Sequence, residues 1–162
     1  MSVVLSLGSN LGDREALLRD AVTAIAALDE VAVTAASSIV ETPALKPHGI
    51  DVDAPAYLNA IVLVETTLEP QALLAALADI ERSQGRTREE RWGDRTLDID
   101  IIAWDDLELE TDDLTIPHPR AGSRAFVLAP WLEVDADAVL SGIPVADLLV
   151  EQPAAFQAEP LL

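Results

Sequence analysis

Residues Thr96 to Trp104, TLDIDIIAW, alternate in a way that a strand satisfies and a helix does not. Leu97, Ile99 and Ile101 fall on one face. Asp98 and Asp100 fall together on the other, so two carboxylates converge at the i, i+2 spacing. Like charges held that close are costly unless a cation lies between them. Hard oxygen donors of this kind suit Mg²⁺, which takes one or two carboxylates and completes its shell with water and substrate phosphates. The pair also reads, more simply, as two acids on the wet side of a half-buried strand.

The residues just upstream weigh on that choice. Gly85 to Arg95, GRTREERWGDR, carries Arg86, Arg88, Arg91 and Arg95 in a chain with a single lysine and a formal net charge of −19. A guanidinium stays charged and matches phosphate oxygens two at a time. Arginines beside paired aspartates therefore point to a nucleoside triphosphate with magnesium. The competing reading pairs them with Glu89, Glu90 and Asp94 as a solvated loop. The acidic remainder of the surface repels nucleic-acid backbones and anionic membranes, so neither is expected as a partner.

The 162 residues are expected to form one domain, 1–162, with a weakly structured tail from about residue 151. There is no cysteine, which removes disulfides, thiolate nucleophiles and Cys-ligated zinc. MSVVLSLGSN lacks a basic start and a long apolar run, and no stretch reaches the roughly 18 apolar residues of a membrane span. A cytoplasmic location is the expectation.

Along the chain, Ser2 to Leu7 reads as a strand and Asp13 as the cap of a helix running to about Leu28. Val31 to Glu41 reads as a strand and Thr42 to Pro55 as a long loop. Tyr57 to Thr67 is the clearest strand. Pro70 opens a second helix, ended by Gly85. After the Thr96 strand come a short acidic strand or turn pair over Leu107 to Leu114, a proline-fixed segment at Ile116 to Pro119, and a short helix over Ser123 to Leu132. The order β-α-β-β-α-β is that of an α+β, ferredoxin-like sandwich, a mainly antiparallel sheet with helices packed on it.

Further residues invite chemistry. Tyr57 and Asn59 share a strand face, where a ring and an amide together suit a flat heterocycle; a strand tyrosine is also an ordinary core residue. His118 between two prolines is rigidly held and, with Arg124, offers donors to an anion. Trp92 beside Gly93 either packs on a ligand or staples its loop. Gly8 to Gly12, GSNLG, lacks the GK[ST] ending of a phosphate loop and reads as a strand-to-helix turn.

Five blocks in order, LGSNLGDRE (7–15), ETPAL (41–45), AYLNAIVLVET (56–66), IERSQGRTREERWGDRTLDIDI (80–101) and IPHPRAGSRAFVLAPWLEV (116–134), resemble the 6-hydroxymethyl-7,8-dihydropterin pyrophosphokinases of folate biosynthesis. The resemblance implies transfer of the β,γ-pyrophosphoryl group of ATP to the pterin hydroxymethyl oxygen, with release of AMP. Carried over by motif, Asp98 and Asp100 would bind two Mg²⁺ ions, and Arg86 and Arg95 would assist transfer from a mobile loop. Arg88, Arg91, Trp92, His118 and Arg124 would line the ATP side. Tyr57 and Phe126 would sandwich the pterin, Asn59 would bond its edge, and Thr42, Pro43 and Leu45 would complete that pocket. A monomer is the expectation. Asp94 stands where the family usually has proline, and the loop from Pro43 to Ala56 is longer than in short members. A metal-dependent nucleotidyltransferase on a related scaffold, which would release pyrophosphate, is the competing enzyme reading; a ligand-binding module without turnover is the other.

Overall fold

The computed structural model describes residues 1–9, 13–42, 44–46, 49–51, 57–84, 97–151 and 158–159, with 44–46, 49–51 and 158–159 as backbone. The elements run β1 (Ser2–Ser9), α1 (Arg14–Ala26), β2 (Val31–Ala36), β3 (Ile39–Thr42), β4 (Ala44–Lys46), β5 (Gly49–Asp51), β6 (Tyr57–Thr66), α2 (Pro70–Gln84) and β7 (Asp98–Trp104). Then follow β8 (Leu109–Glu110), β9 (Thr115–Ile116), a 3-10 turn (Ala121–Ser123), α3 (Ala125–Val134), β10 (Val139–Leu140), β11 (Ile143–Pro144), α4 (Val145–Val150) and β12 (Ala158–Glu159).

The main sheet has the order β12-β3-β6-β1-β7, with β2 also paired to β6, and its pairings are antiparallel. β1 lies between β6 and β7. That is the strand order expected of a ferredoxin-like βαββαβ unit.

Side-chain alternation then sorts two cores. Val3, Leu5, Leu7, Ala60, Val62, Val64, Ile99 and Ile101 meet Leu18, Val22 and Ile25 of α1 and Leu73, Leu77 and Ile80 of α2. On the opposite face Ile61 and Ile102 meet Val127, Leu128 and Trp131 of α3 and Val145 of α4. Both faces being covered explains why β1 and β6 read as near-continuous apolar runs. At one end of the second face, beneath the first turn of α3, Ser6, Asn59, Asp98 and Asp100 stand together, and the candidate site lies there.

Asp13 caps α1 as expected, its carboxylate accepting from the Ala16 N–H at 3.2 Å. The single strand expected over Val31 to Glu41 is two. The chain breaks at Ser37-Ser38 because the Ser37 hydroxyl, not a backbone carbonyl, accepts from the Ile61 N–H at 2.8 Å. Ser38 turns away to Glu133, whose carboxylate accepts from the Ser38 N–H and hydroxyl. The long loop after Thr42 contains the β4-β5 hairpin, and α4 follows a second hairpin, β10-β11. Among the described residues no helix is long and apolar enough to cross a membrane.

Candidate active site

The sheet register assembles the site floor. Gly8 of β1 lies opposite Asn59 of β6 on one side and Asp98 of β7 on the other, and Ser6 lies opposite Asp100. Thr42 of β3 lies opposite Tyr57. Side chains from four strands thus emerge on one face at one end of the sheet. α3 overhangs them: Arg124 is its N-cap residue, and Phe126 and Val127 are in its first turn. His118 enters from the segment after β9, anchored by its own N–H donating to the Ile102 carbonyl at 2.9 Å.

These groups line a cavity of about 250 Å³, which gathers Thr42, Tyr57, Asn59, Asp98, Asp100, His118, Arg124 and Phe126 around a floor of Ser6 and Gly8. Eight residues singled out by sequence, from positions 42 to 126, are brought to one concavity. Pro43, Arg86, Arg88, Arg91, Trp92, Asp94 and Arg95 lie outside the described residues, as does the side chain of Leu45.

Asn59 is buried and held in a fixed sense. Its Nδ2 donates to Thr42 Oγ1 at 3.2 Å, which leaves Oδ1 as an acceptor with no partner among the described residues. Tyr57 and Phe126 are half-buried, each with part of its ring turned to the cavity. Asp98 is half-buried and Asp100 exposed. Between them, the Ile99 N–H donates to Glu81 Oε2 of α2 at 3.0 Å. That bond ties the start of β7 to α2, so the two carboxylates project from a strand that is fixed from behind.

A second cavity of about 310 Å³ opens on the other side of β7, lined by Leu74, Ile99, Asp100, Ile101, Leu114, Thr115, His118 and the Thr111–Asp113 turn. Asp100 and His118 border both cavities. Apart from those two, its lining was not legible in the sequence. Leu74 and Leu114 are ordinary apolar residues in their own segments, and only the packing of α2 against β7 and β9 brings them together.

Asp98 and Asp100 present carboxylate oxygens without a third metal-ligating side chain clustered beside them among the described residues. That donor set is too sparse for a closed structural metal site. It fits a Mg²⁺ that keeps open positions for substrate phosphates.

The cationic side is half-buried. Desolvation lowers the Arg124 guanidinium from its ordinary value, Asp100 opposes that, and Arg120 adds to it; a guanidinium so placed still carries its charge at neutral pH. Arg124 sits 5.6 Å from the centroid of the Phe126 ring, a cation–π distance. Burial likewise pushes His118 below 6.5, with Asp100 opposing and Arg124 and Arg120 adding to the drop. Its Nδ1 accepts from the Arg120 N–H at 3.2 Å. The neutral ring therefore carries its proton on Nε2, a donor for the shared edge of the two cavities.

A pH signature follows. With the folded pKa lowered, the unfolded chain binds the proton first as pH falls, so stability is full above 6.5 and declines below it, down through the folded value. The melting-temperature advantage of the wild type over His118→Gln should shrink steadily between pH 7 and about pH 5. An advantage constant across that range would contradict the assignment.

Fold and site together describe a ferredoxin-like sandwich with two cavities that meet at Asp100 and His118, the layout of a two-substrate enzyme. The chain belongs to the 7,8-dihydro-6-hydroxymethylpterin-pyrophosphokinase (HPPK) family, whose model matches residues 4–136. It is 41% identical over 147 residues to the 2-amino-4-hydroxy-6-hydroxymethyldihydropteridine pyrophosphokinase of Methylorubrum extorquens, covering 91% of this chain and 90% of that one. It is 46% identical over 130 residues to the Bacillus subtilis enzyme of the same name, covering 80% and 75%. In three dimensions it resembles wild-type Plasmodium falciparum HPPK-DHPS, with a TM-score of 0.69 at 15% identity, over 93% of this chain and 44% of that chain. That last likeness bears on the fold alone.

Proposed function

We propose that this chain carries out its family's reaction across the two cavities, transferring pyrophosphate from ATP to 6-hydroxymethyl-7,8-dihydropterin in folate biosynthesis. The observation that carries the reading is the sharing of Asp100 and His118 by both cavities. Two substrates seated in them meet at the acidic edge of β7. The cavity with Tyr57, Asn59 and Phe126 takes the pterin: aromatic faces for the flat ring, and the Asn59 acceptor for its N–H edge. The cavity with Leu74, Ile101 and Leu114 takes the nucleoside end of ATP: these apolar side chains suit the face of a purine, and the Thr111–Asp113 turn offers polar partners to its edge.

The triphosphate then spans Asp98, Asp100, His118 and Arg124. Bound there, Mg²⁺ would neutralise charge on the phosphates. The hydroxymethyl oxygen attacks the β-phosphorus. A new O–P bond forms, the bond between the β-phosphorus and the oxygen bridging it to the α-phosphorus breaks, AMP leaves, and the hydroxyl proton is released. Little covalent work falls to the protein; it supplies position and charge. His118 Nε2–H and the Arg124 guanidinium donate toward phosphate oxygens. Arg86 and Arg95, on the segment joining α2 to β7, supply further positive charge to the transferring group, and Arg88, Arg91 and Trp92 line the nucleotide side. Pro43 and Leu45 close the pterin side with Thr42.

Incubation with Mg-ATP and 6-hydroxymethyl-7,8-dihydropterin should yield AMP and the pterin diphosphate in equal amounts, and chelation of the metal should stop it. Release of pyrophosphate instead of AMP would identify a nucleotidyltransferase, and binding without either product a ligand-binding module.

A further inference from the structure

We infer that Gly8 is a positioning residue for pterin recognition. Its missing side chain is what lets the Asn59 carboxamide lie flat on the sheet and present its oxygen to the ring. The inference rests on the pterin assignment of the first cavity. Gly8 is mid-floor, opposite Asn59 on one neighbouring strand and Asp98 on the other, and it lines the cavity. A Cβ built on it would stand 3.0 Å from Asn59 Oδ1 and 3.9 Å from the Leu58 carbonyl. The second contact is ordinary; the first forces a shift. Asn59 has little room for one, being 5% exposed with its Nδ2 held by Thr42 Oγ1. A methyl group at residue 8 therefore pushes the amide by a few tenths of an ångström, which strains the Thr42 bond and moves the oxygen from its place at the ligand edge. Gly8 does not have a positive φ, so the backbone accepts an L-residue and the cost falls on the amide alone. Glycine within a strand weakens it, and its retention often marks a close approach. Here the approach is that of the ligand-reading side chain.

The test is Gly8→Ala, Asn59→Ala and the double variant, each titrated with 6-hydroxymethyl-7,8-dihydropterin in the presence of Mg²⁺ and a non-hydrolysable ATP analogue, alongside thermal melts. Gly8→Ala should weaken pterin binding about ten- to hundredfold, the range of one or two lost hydrogen bonds from a buried group. Affinity for the ATP analogue should be unchanged. The melting temperature should hold or rise slightly, since alanine restricts the unfolded chain. In the Asn59→Ala background, adding Gly8→Ala should change affinity by less than about twofold, because the two act through one group. Wild-type affinity in Gly8→Ala overturns the inference, as does full additivity with Asn59→Ala, or a melting temperature lowered by several degrees, which would place the cost on the sheet. If Asn59→Ala itself leaves pterin affinity intact, the assignment of the cavity fails, and the inference fails with it by a distinguishable route.

Discussion

Replacing Asp100 by alanine is expected to lower turnover about 10³-fold while the protein stays folded, a loss of several kcal/mol of transition-state stabilisation. Asp100 is the carboxylate that borders both cavities. It is therefore the group through which a cation between them would be held, and through which the two substrates would be brought into register. Structurally it contributes little. The side chain is exposed, while its strand is held by the β1 ladder opposite Ser6 and by the Glu81 bond to the next residue. Surface substitutions away from special features usually stay within about 0.5 kcal/mol, and removing one acid from a chain of net charge −19 relieves repulsion. AMP release at saturating substrates, beside a thermal melt, separates the two effects. Asp100→Asn should be nearly as inactive as the alanine variant, because it keeps the shape and loses the charge. Turnover within a few-fold of wild type in either variant would remove Asp100 from the metal site.

Much of the scaffold for that site was legible in the sequence, for identifiable reasons. β7 announces itself because Leu97, Ile99 and Ile101 are buried while Asp98 and Asp100 are not, so the alternation survives in the residue types. α1 announces itself through Asp13 and a regular apolar stripe. The Val31 to Glu41 segment hid its break, since the partner of the Ile61 N–H is a side-chain hydroxyl, and no local pattern distinguishes that serine from a solvated one. The site residues that carry rare chemistry in a chain poor in cations and aromatics (Arg124, His118, Tyr57) stood out by type, and Phe126 entered through the family resemblance. Leu74, Leu114 and Glu81 did not. A leucine lining a cavity looks like any core leucine, and Glu81 looks like one more acid on an amphipathic helix until the Ile99 N–H is found donating to it, 18 residues away in sequence. Gly8 lay within a recognisable block, but its role depends on a neighbour on another strand.

The largest effect expected outside the described residues is that of Arg95→Ala: turnover lower by about 10³-fold or more, the range for an arginine that meets charge developing on a transferring phosphoryl group. Pterin affinity should stay within about threefold of wild type. The fixed ends of the segment support this. α2 ends at Gln84, and Leu97, immediately before Asp98, is fully buried. In sequence Arg95 stands two residues before that anchor and three before Asp98, whereas Asn59, the proposed reader of the pterin edge, lies across the sheet on β6. An arginine so close in sequence to the aspartates should act on the transferring group more than on ground-state binding of the pterin. Arg95→Lys tests the same point from the other side. A lysine returns the charge as a point without the planar two-donor fork, so it should recover part of the turnover and not all of it. Single-turnover measurements, with ATP-analogue and pterin affinities determined separately, divide the effect. A defect confined to pterin affinity, with the chemical step intact, would move Arg95 out of the reaction and into the binding pocket.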